Sequence, residues 1–590
     1  MINNFFFHKH LIKDKSIDKL LTILFVIILM SCTQEVQKKI DIDKLDILLS
    51  DCTVDINQNK KLDVIIIPQN AEILWSTNNK DVVDIDSNGV LYPKHIGVAV
   101  ITAKAKDSTS KQDTCLVTVN QNGINLSKWT VMVYSVADND LEPYLLDDVE
   151  EMKQGYQEGI NLILLIDRSP YYSENSSILG ENFSDTRLFE IKSNSAKRLA
   201  GGAEFPEITI NSTYEANMGD VNTLKKFIEF CKNNYPATNY ALFIENHGAG
   251  IRGKGLDLSI IDSVEEKQKM IGIDYSSDND ALYIGEITDG LEAKDSIDIL
   301  GFDACVMGNI EVLYQFNPQN NDFNTKYIVA SPSDEIGSGW NYKNIFERIK
   351  YSTKTSYEAD DLYGGNELYY NPVTLSPVDF TKIIIEEYYD TAGKSYQDQS
   401  FGVYDMSQII AVKQNFDKLA SLLKNEQTNV ELARAYSIKY FNSNVFFNWV
   451  YSPLFDLYSL AENIYNSTSF SKEIRDQALV VMNSVDSFVV KSFAGSIYNN
   501  FTPDKNGVSV FFTDGNRMYN YKPMWAYQWW YTSLDTQQVI GANNYYGKLF
   551  WCKDNATQDN KIIENWFELL DYYYDDPTQN NGGGYNFYGY

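Results

Sequence analysis

Two residues of this chain, Cys305 and His247, occupy positions where a nucleophile and its base could meet. Each follows an apolar segment typical of a buried strand, 241–246 before the histidine and 299–304 before the cysteine. A thiol attacks as its thiolate, and a nearby imidazole can take up the proton. The pair therefore indicates nucleophilic catalysis by cysteine. The alternative is a structural loop histidine and a buried core thiol.

The chain has only four histidines, so few other residues could serve as the base. His8 and His10 belong to an N-terminal segment that we expect to be removed. His95 has no acidic or cysteine neighbour in an obvious site, and we interpret it as a surface or turn residue. The scarcity of histidine, with six cysteines and no C-x-x-C pair, argues against zinc sites and thioredoxin-like redox chemistry. No metal site is expected from histidine or cysteine spacing.

Backbone groups near the two residues could assist attack on a carbonyl. Gly248 follows the histidine and leaves room for a substrate carbonyl, so its N–H and that of Cys305 could form an oxyanion hole. The turn after the cysteine leads into a predicted helix, indicated by apolar residues spaced from 306 to 314. The dipole of such a helix would favour the thiolate.

An alternation of buried strands and amphipathic helices must position these residues. The predicted strands are 129–136, 161–166, 240–245, 297–302 and 326–330. Helices are predicted over 141–152 and 219–228. In the first of these helices, we expect the acidic residues to lie away from the core face. Parallel strands with helices on both faces bring their carboxyl ends to one rim, where ligands bind. The expected fold class is α/β.

Several blocks of the sequence closely resemble the clostripain family of cysteine peptidases. The resemblance runs from about residue 126 to 515 and is highly specific around Cys305. The matching blocks are 129–142, 246–250, 300–311, 330–342, 373–379, 455–457 and 506–512. The resemblance implies a caspase-like sheet, a His/Cys dyad without an essential third member, and cleavage of peptide bonds after basic P1 residues.

By position in these blocks, the resemblance assigns His247 as general base and acid and Cys305 as nucleophile. Asp303 matches the acid of the S1 pocket, where one partly desolvated carboxylate selects a guanidinium or ammonium group. The alternative for Asp303 is a loop carboxylate that caps the following helix. Asp334 and Glu335 lie in a matching acidic segment and are further candidates for substrate binding.

The chain departs from the family's pattern near the histidine. Glu245-Asn246 stands where the family commonly has Trp-Asp, and Ile251 replaces a common Trp, so the finer shape of the pocket differs. Members of the family are often activated by cleavage between the histidine and the cysteine. The corresponding segment here is polar and offers four basic candidates for self-cleavage, Arg252, Lys254, Lys267 and Lys269.

We expect the peptidase to require no cofactor, although some members of the family that it resembles respond to calcium. The acidic segments 138–140 and 274–280 could attract calcium, but neither has EF-hand spacing, and solvated loops are the favoured interpretation. The net charge of −30 repels phosphate backbones and argues against nucleic-acid partners. The expected partners are protein or peptide substrates with a basic P1 residue.

The N-terminal residues 1–31 have the features of an export signal. Lysines precede an apolar run over 20–30, which is too short to span a bilayer comfortably. The run leads into Leu-Met-Ser-Cys, which resembles a bacterial lipoprotein box and implies lipidation of Cys32 and a tether over 32–45. The alternatives are an ordinary cleaved signal and an N-terminal anchor. We expect a lipid-anchored protein of the bacterial cell envelope, outside the cytoplasm, with the outer membrane and the cell surface as candidate sites.

Residues 46–122 show short alternating strands separated by turn residues, a pattern typical of an antiparallel sandwich. The blocks 74–91 and 97–103 resemble the bacterial Ig-like group 2 domain. Cys52 and Cys115 could form a disulfide in an oxidising compartment or remain two buried thiols. We expect a spacer domain without chemistry of its own.

The rest of the chain divides into a catalytic core over 126–350, a C-terminal part of the peptidase over 351–552, and a helix with a low-complexity tail over 553–590. Tyr and Trp are dense over 519–552, where core packing is a commoner explanation than ligand binding. Two function classes remain. One is a lipid-anchored cysteine endopeptidase, and the other is an inactive surface adhesin on the same fold. The intact dyad and Asp303 favour the enzyme.

Overall fold

The fold is described from a computed structural model of the chain. The structure describes residues 46–49, 52–56, 58–67, 71–80, 82–94, 97–106, 111–120, 127–248, 250, 271–350, 356–362, 365–440, 453–512, 549–557 and 562–574. The predicted signal and tether with Cys32 lie outside these residues, as do His8, His10, His95, Arg252, Lys254, Lys267 and Lys269. The chain divides into two compact units, one covering most of 46–117 and the other running from Thr118 onward.

The smaller unit consists of short strands. A four-stranded sheet has the order Cys52–Asp55, Gln112–Asn120, Gly97–Ala105 and Ile73–Thr77. A three-stranded sheet has the order Lys60–Lys61, Val90–Pro93 and Val83–Ile85, and Asp46–Leu49 pairs with Val64–Ile67. The strands predicted for this region are therefore confirmed. Cys52 and Cys115 lie on neighbouring strands of the first sheet.

In the larger unit, nine of the described strands form one mixed sheet. In chain order they are β1 Ser127–Ala137, β2 Ile160–Arg168, β3 Thr186–Lys192, β4 Ser195–Leu199, β5 Ala237–Glu245, β6 Ile297–Asp303, β7 Thr325–Ala330, β8 Ser400–Asp405 and β9 Val489–Ala494. Their order across the sheet is β4-β3-β2-β1-β5-β6-β7-β8-β9. Strands β2, β1, β5, β6 and β7 run parallel. The strands at the two edges pair antiparallel.

The five predicted strands form this parallel centre, so the expected α/β class is confirmed. The antiparallel edge strands were not predicted, and the sheet is mixed rather than wholly parallel. Successive residues of β1 alternate between two cores, with Met132 and Tyr134 on one face and Val131 and Val133 on the other. A strand buried on both faces reads as a continuous apolar run, which is why β1 could be recognised from sequence.

Helices cover both faces of the sheet. They are α1 Glu142–Gly155, α2 Val221–Asn234, α3 Ile284–Gly290, α4 Ile310–Gln315, α5 Tyr342–Glu347, α6 Pro377–Tyr388, α7 Ile409–Leu422, α8 Gln427–Tyr436, α9 Leu457–Asn466, α10 Lys472–Phe488, α11 Phe550–Lys553 and α12 Trp566–Tyr574. Three two-stranded ribbons pair Ile271–Asp274 with Asp280–Leu282, Ser356–Leu362 with Gly365–Tyr370, and Leu454–Asp456 with Ser509–Phe511. Helix α2 begins where Asp220 accepts a hydrogen bond from Asn222 N–H, the usual role of an N-cap.

Helix α1 has the predicted apolar face but not the predicted polar one. Glu142 and Asp148, which were expected away from the core, are both buried. Glu142 accepts from Arg168 at 2.7 Å, and both side chains are fully buried. A buried carboxylate is tolerated when a cation or a proton neutralises it, so these two acids lie inside because of tertiary partners.

Residue 350, where the predicted catalytic core ends, lies inside the larger unit. Strands β8 and β9, which follow it, complete the same sheet. Helix α12 also packs into this unit, since the Trp566 indole donates to the Phe511 carbonyl at 3.0 Å. Among the described residues, no helix is both long enough and apolar enough to cross a membrane.

Candidate active site

The sheet register brings His247 and Cys305 to neighbouring strand ends. Strands β5 and β6 are parallel, and Glu245 is the register partner of Asp303. His247 and Cys305 each lie two residues beyond this pair, so the chain carries them out of the sheet side by side. A Cβ atom at Gly248 would lie 2.1 Å from the Cys305 carbonyl oxygen and 2.8 Å from its nitrogen. The two backbones are therefore in contact, and only glycine fits at 248.

The loop that carries Cys305 is held by the loop after β7. The Glu335 N–H donates to the Cys305 sulfur at 3.2 Å, and the Val306 N–H donates to the Ser333 carbonyl at 2.8 Å. Val306 has a φ of 66°, a conformation that is costly for a β-branched residue. The helix predicted after the turn that follows the thiol is α4, which begins at Ile310. Residues 306–309 therefore separate the thiol from the first turn of this helix, and the loop contacts hold that segment.

The surroundings of Cys305 favour the neutral thiol. Burial raises the pKa of Cys305 well above its ordinary value, and the negative charge of Asp334 raises it further. The hydrogen bond from Glu335 N–H to the sulfur opposes this rise. A thiol in such a setting stays protonated near neutral pH, so it needs a base in order to react.

His247 is bound to a carboxylate. Its Nε2 lies 3.1 Å from Oδ1 of Asp140, and its side chain is 15% exposed. The Tyr275 hydroxyl donates to the same Asp140 oxygen at 3.3 Å. The hydrogen bond with His247 lowers the pKa of Asp140, so this carboxylate is ionised. In the sequence, Asp140 is recognisable only as part of an acidic segment, because residues far apart in the chain meet here.

Asp303, the last residue of β6, is buried and hydrogen-bonded. The Trp340 N–H and the Tyr342 hydroxyl each donate to its Oδ2 at 3.1 Å. Gly339, with a φ of 57°, gives the carboxylate room, since a Cβ there would lie 2.9 Å from Oδ2. Burial raises the pKa of Asp303 to about 6. Helix α4 is capped by Asn309, so the alternative role of Asp303 as its cap is wrong.

Further carboxyl groups surround Asp303. Oxygens of Asp303, of Asp148 in α1 and of Glu245 at the end of β5 lie within 4.8 Å of one another, and all three residues are buried. Burial and the charge of Asp303 raise the pKa of Glu245 to about 8. Burial and the same charge raise the pKa of the half-buried Glu335 well above its ordinary value. Such a cluster can stabilise a guanidinium or ammonium group that reaches it.

A second carboxylate cluster lies between the ends of β1 and β2. Oxygens of Asp138, Asp167, Glu215 and Asp274 lie within 4.8 Å of one another, and only Glu215 is exposed. Burial raises the pKa of Glu215 to about 7 and that of Asp167 well above its ordinary value. No described Lys or Arg forms an ion pair with any of the four. Asp138 and Asp274 come from the two acidic segments noted in the sequence, whereas Asp167 and Glu215 gave no signal there.

The fold and the geometry of these strand ends define a class of enzyme. A cysteine and a histidine emerge side by side from adjacent parallel strands, above a buried acid. The family model described as the Clostripain family matches residues 133–566. The chain belongs to the clostripain family and is a cysteine peptidase.

Individual relatives are similar over most of their length. Clostripain of Hathewaya histolytica is 42% identical over 506 residues, which are 82% of this chain and 94% of the relative. An inactive zymogen C11 protease from Parabacteroides distasonis is 16% identical, with 73% of this chain and 98% of that chain covered and a TM-score of 0.47. A secreted C11 cysteine protease from Bacteroides thetaiotaomicron, solved with an irreversible peptide inhibitor, is 17% identical, with 66% and 94% covered and a TM-score of 0.41.

Proposed function

We propose that this protein is an endopeptidase that cleaves peptide bonds after Arg or Lys with a His247/Cys305 dyad. The observation that carries the proposal is the register of β5 and β6, which sets the two residues side by side with Asp303 immediately behind them. The S1 acid is Asp303, which lies within 4.8 Å of two further buried carboxyl groups. Asp334 and Glu335 line the same region through the loop that holds the thiol.

The proposed mechanism follows from these positions. His247 takes the proton from the Cys305 sulfur, and the thiolate attacks the scissile carbonyl carbon. The backbone N–H groups of Gly248 and Cys305 stabilise the oxyanion. His247 then gives its proton to the leaving amine, which leaves an acyl-enzyme. Water activated by the same imidazole hydrolyses this thioester and restores the thiol.

One assay tests the proposal. Purified protein is given fluorogenic peptides that differ only in P1, with Arg, Lys or Asp, and the Cys305→Ala protein serves as control. We expect thiol-dependent cleavage after Arg and Lys and none after Asp. Cleavage after Asp but not Arg would overturn the role of Asp303. No turnover of any peptide, even after added trypsin, would favour the alternative of an inactive cell-surface adhesin on the same fold.

The same two proteins test self-processing. We propose cleavage between His247 and Cys305, at Arg252, Lys254, Lys267 or Lys269. On a denaturing gel, the wild type is expected as two fragments and the Cys305→Ala protein as one chain. A wild type that stays intact while active would contradict self-processing without affecting the dyad.

We also propose that the enzyme is attached to a membrane surface. Lipidation of Cys32 would anchor it outside the cytoplasm, through the tether over 32–45, and the strands of the smaller unit would serve as an Ig-like spacer. A single acyl chain gives only marginal membrane binding, so stable anchoring depends on more than one chain. Metabolic labelling with a fatty-acid analogue tests this, with Cys32→Ala as the control that should lose the label.

We further propose that the Asp138/Asp167/Glu215/Asp274 cluster holds calcium. The donor set fits, because calcium prefers carboxylate oxygens. Asp167 is fully buried, and among the described residues its Oδ2 has no hydrogen-bond partner. A bound cation would neutralise the charges of four carboxyl groups that otherwise repel one another. It would also link the ends of β1 and β2 to the Ile271–Asp274 strand.

Calcium is therefore expected to raise the melting temperature of the protein and a chelator to lower it. At a concentration one hundred times Kd, a ligand of the folded state adds about 2.7 kcal/mol of stability. The Asp167→Asn variant should lose this response. The matched variant Asp278→Asn, in the same hairpin but outside the cluster, should keep it. A melting temperature unaffected by calcium or chelator would refute the site.

A further inference from the structure

Asp140 contacts the proposed general base directly. Its Oδ1 lies 3.1 Å from His247 Nε2, although the two residues are far apart in sequence. Asp140 follows β1 and His247 follows β5, which is the neighbour of β1 in the sheet. The contact is therefore built by the same parallel register that sets His247 beside Cys305.

The segment that carries Asp140 is held on several sides. The Asn139 side-chain amide donates to the carbonyls of Val136 at 2.9 Å and Ile273 at 2.8 Å. The Tyr275 N–H donates to the Asp138 carbonyl at 3.1 Å. The Tyr275 hydroxyl donates to Asp140 itself at 3.3 Å. These contacts fix the carboxylate where the imidazole meets it.

A carboxylate partner determines which nitrogen of a neutral imidazole carries the proton. An ionised Asp accepts hydrogen bonds and cannot donate one, so the nitrogen that faces it must carry hydrogen. Hydrogen on Nε2 leaves the lone pair on Nδ1, the nitrogen that can accept a proton from a thiol. The charge of Asp140 also stabilises the imidazolium that forms after the proton transfer.

We propose that Asp140 is a positioning residue that holds His247 as its Nε2–H tautomer and makes the dyad a triad. The inference rests on the proposed His247/Cys305 dyad and adds a member that the family resemblance does not assign. In the reaction, the proton of the Cys305 sulfur moves to Nδ1 and later to the leaving amine. The Nε2 proton stays on the imidazole, and Asp140 remains a carboxylate throughout.

The Asp140→Asn variant tests the inference. The amide can donate to Nε2 and so favours the wrong tautomer, as an Asp-to-Asn change does in serine-peptidase triads. The Asp140 side chain is 41% exposed, so water can partly replace it. We therefore expect kcat to fall about 10²-fold rather than the roughly 10⁴-fold of a buried triad acid, with KM nearly unchanged. Asp278→Asn, the same chemical change at an exposed site of the neighbouring hairpin, is expected to have no effect.

A spectroscopic readout separates positioning from a merely structural role. Protein labelled with ¹⁵N at histidine contains four labelled residues with two ring nitrogens each, and the two His247 signals are assigned by their absence in His247→Gln. We expect an Nε2–H imidazole in the parent and in Asp278→Asn, and a shift toward Nδ1–H in Asp140→Asn. Tyr275→Phe, which removes a hydrogen bond to Asp140, should shift kcat in the same direction by a smaller factor.

Three results would overturn the inference. They are an unchanged kcat in Asp140→Asn, a loss of activity with an unchanged tautomer, and a rise in KM alone. Failure of the proposed function has a different signature: either the wild type cleaves none of the peptides, or His247→Ala and Cys305→Ala keep the activity of the wild type. If Asp140→Asn does not fold, the Tyr275→Phe protein decides the question by its kcat and its tautomer.

Discussion

Replacing His247 by alanine is expected to lower kcat/KM by about 10⁴-fold, the upper end of general acid–base contributions. Burial and the charge of Asp334 raise the pKa of the Cys305 thiol, so without a base almost no thiolate forms. His247 is the only histidine of the sequence beyond residue 95, so the region matched by the family model contains no other imidazole that could replace it. Steady-state kinetics on an Arg-P1 peptide measure the effect.

The control for this experiment is His95→Ala, which removes the other histidine beyond the export segment and should retain full activity. A trypsin-nicked His247→Ala protein should also be compared with nicked wild type, so that lost self-processing is not mistaken for lost catalysis. If the nicked variant keeps activity within about tenfold of wild type, His247 is not the general base.

The parallel centre of the sheet could be predicted because β1, β2, β5, β6 and β7 are buried on both faces and read as apolar runs. The edge strands lack that signal. Strand β9 follows α10 without an intervening turn, and the sequence pattern alone predicts a helical segment near 472–490 that runs into the strand. The spacing of apolar residues cannot distinguish the end of the helix from the strand. Both the helical and the strand periodicity place Val489 and Phe493 on the same, buried face.

The two residues of the proposed dyad could be predicted from strand ends, whereas most of the acids around them could not. Asp148 lies in a helix next to the exposed Asp147, and the sequence alone predicts the same exposure for both residues. Glu245 was noticed only as a departure from the family's pattern. Their burial depends on where other strands and helices bring Asp303 and Tyr342, and one sequence does not reveal that. The carboxylate partner of His247 was missed for the same reason.

The Asp303→Asn variant is expected to lower kcat/KM for Arg-P1 peptides by about 10²- to 10³-fold, the usual cost of removing one partner from a buried charge pair. Peptides with an uncharged P1 residue should be affected far less. Because burial raises the pKa of Asp303 to about 6, the KM of the wild type for Arg-P1 peptides should rise as the pH falls through that value. Only the carboxylate form of Asp303 binds the P1 cation, so the rise of KM at low pH should be absent in Asp303→Asn.

The matched control is Glu245→Gln, the register neighbour of Asp303. Burial and the charge of Asp303 raise the pKa of Glu245 to about 8, so its side chain is mostly neutral at pH 7 and glutamine imitates that form. We expect this variant to change kcat/KM for Arg-P1 peptides by less than about threefold at pH 7, within the range of a substitution that alters no charge. A large loss in Glu245→Gln with a small one in Asp303→Asn would assign the P1 cation to Glu245 instead. Equal losses for charged and uncharged P1 peptides in Asp303→Asn would show that Asp303 supports the loop of Trp340 and Tyr342 rather than the substrate.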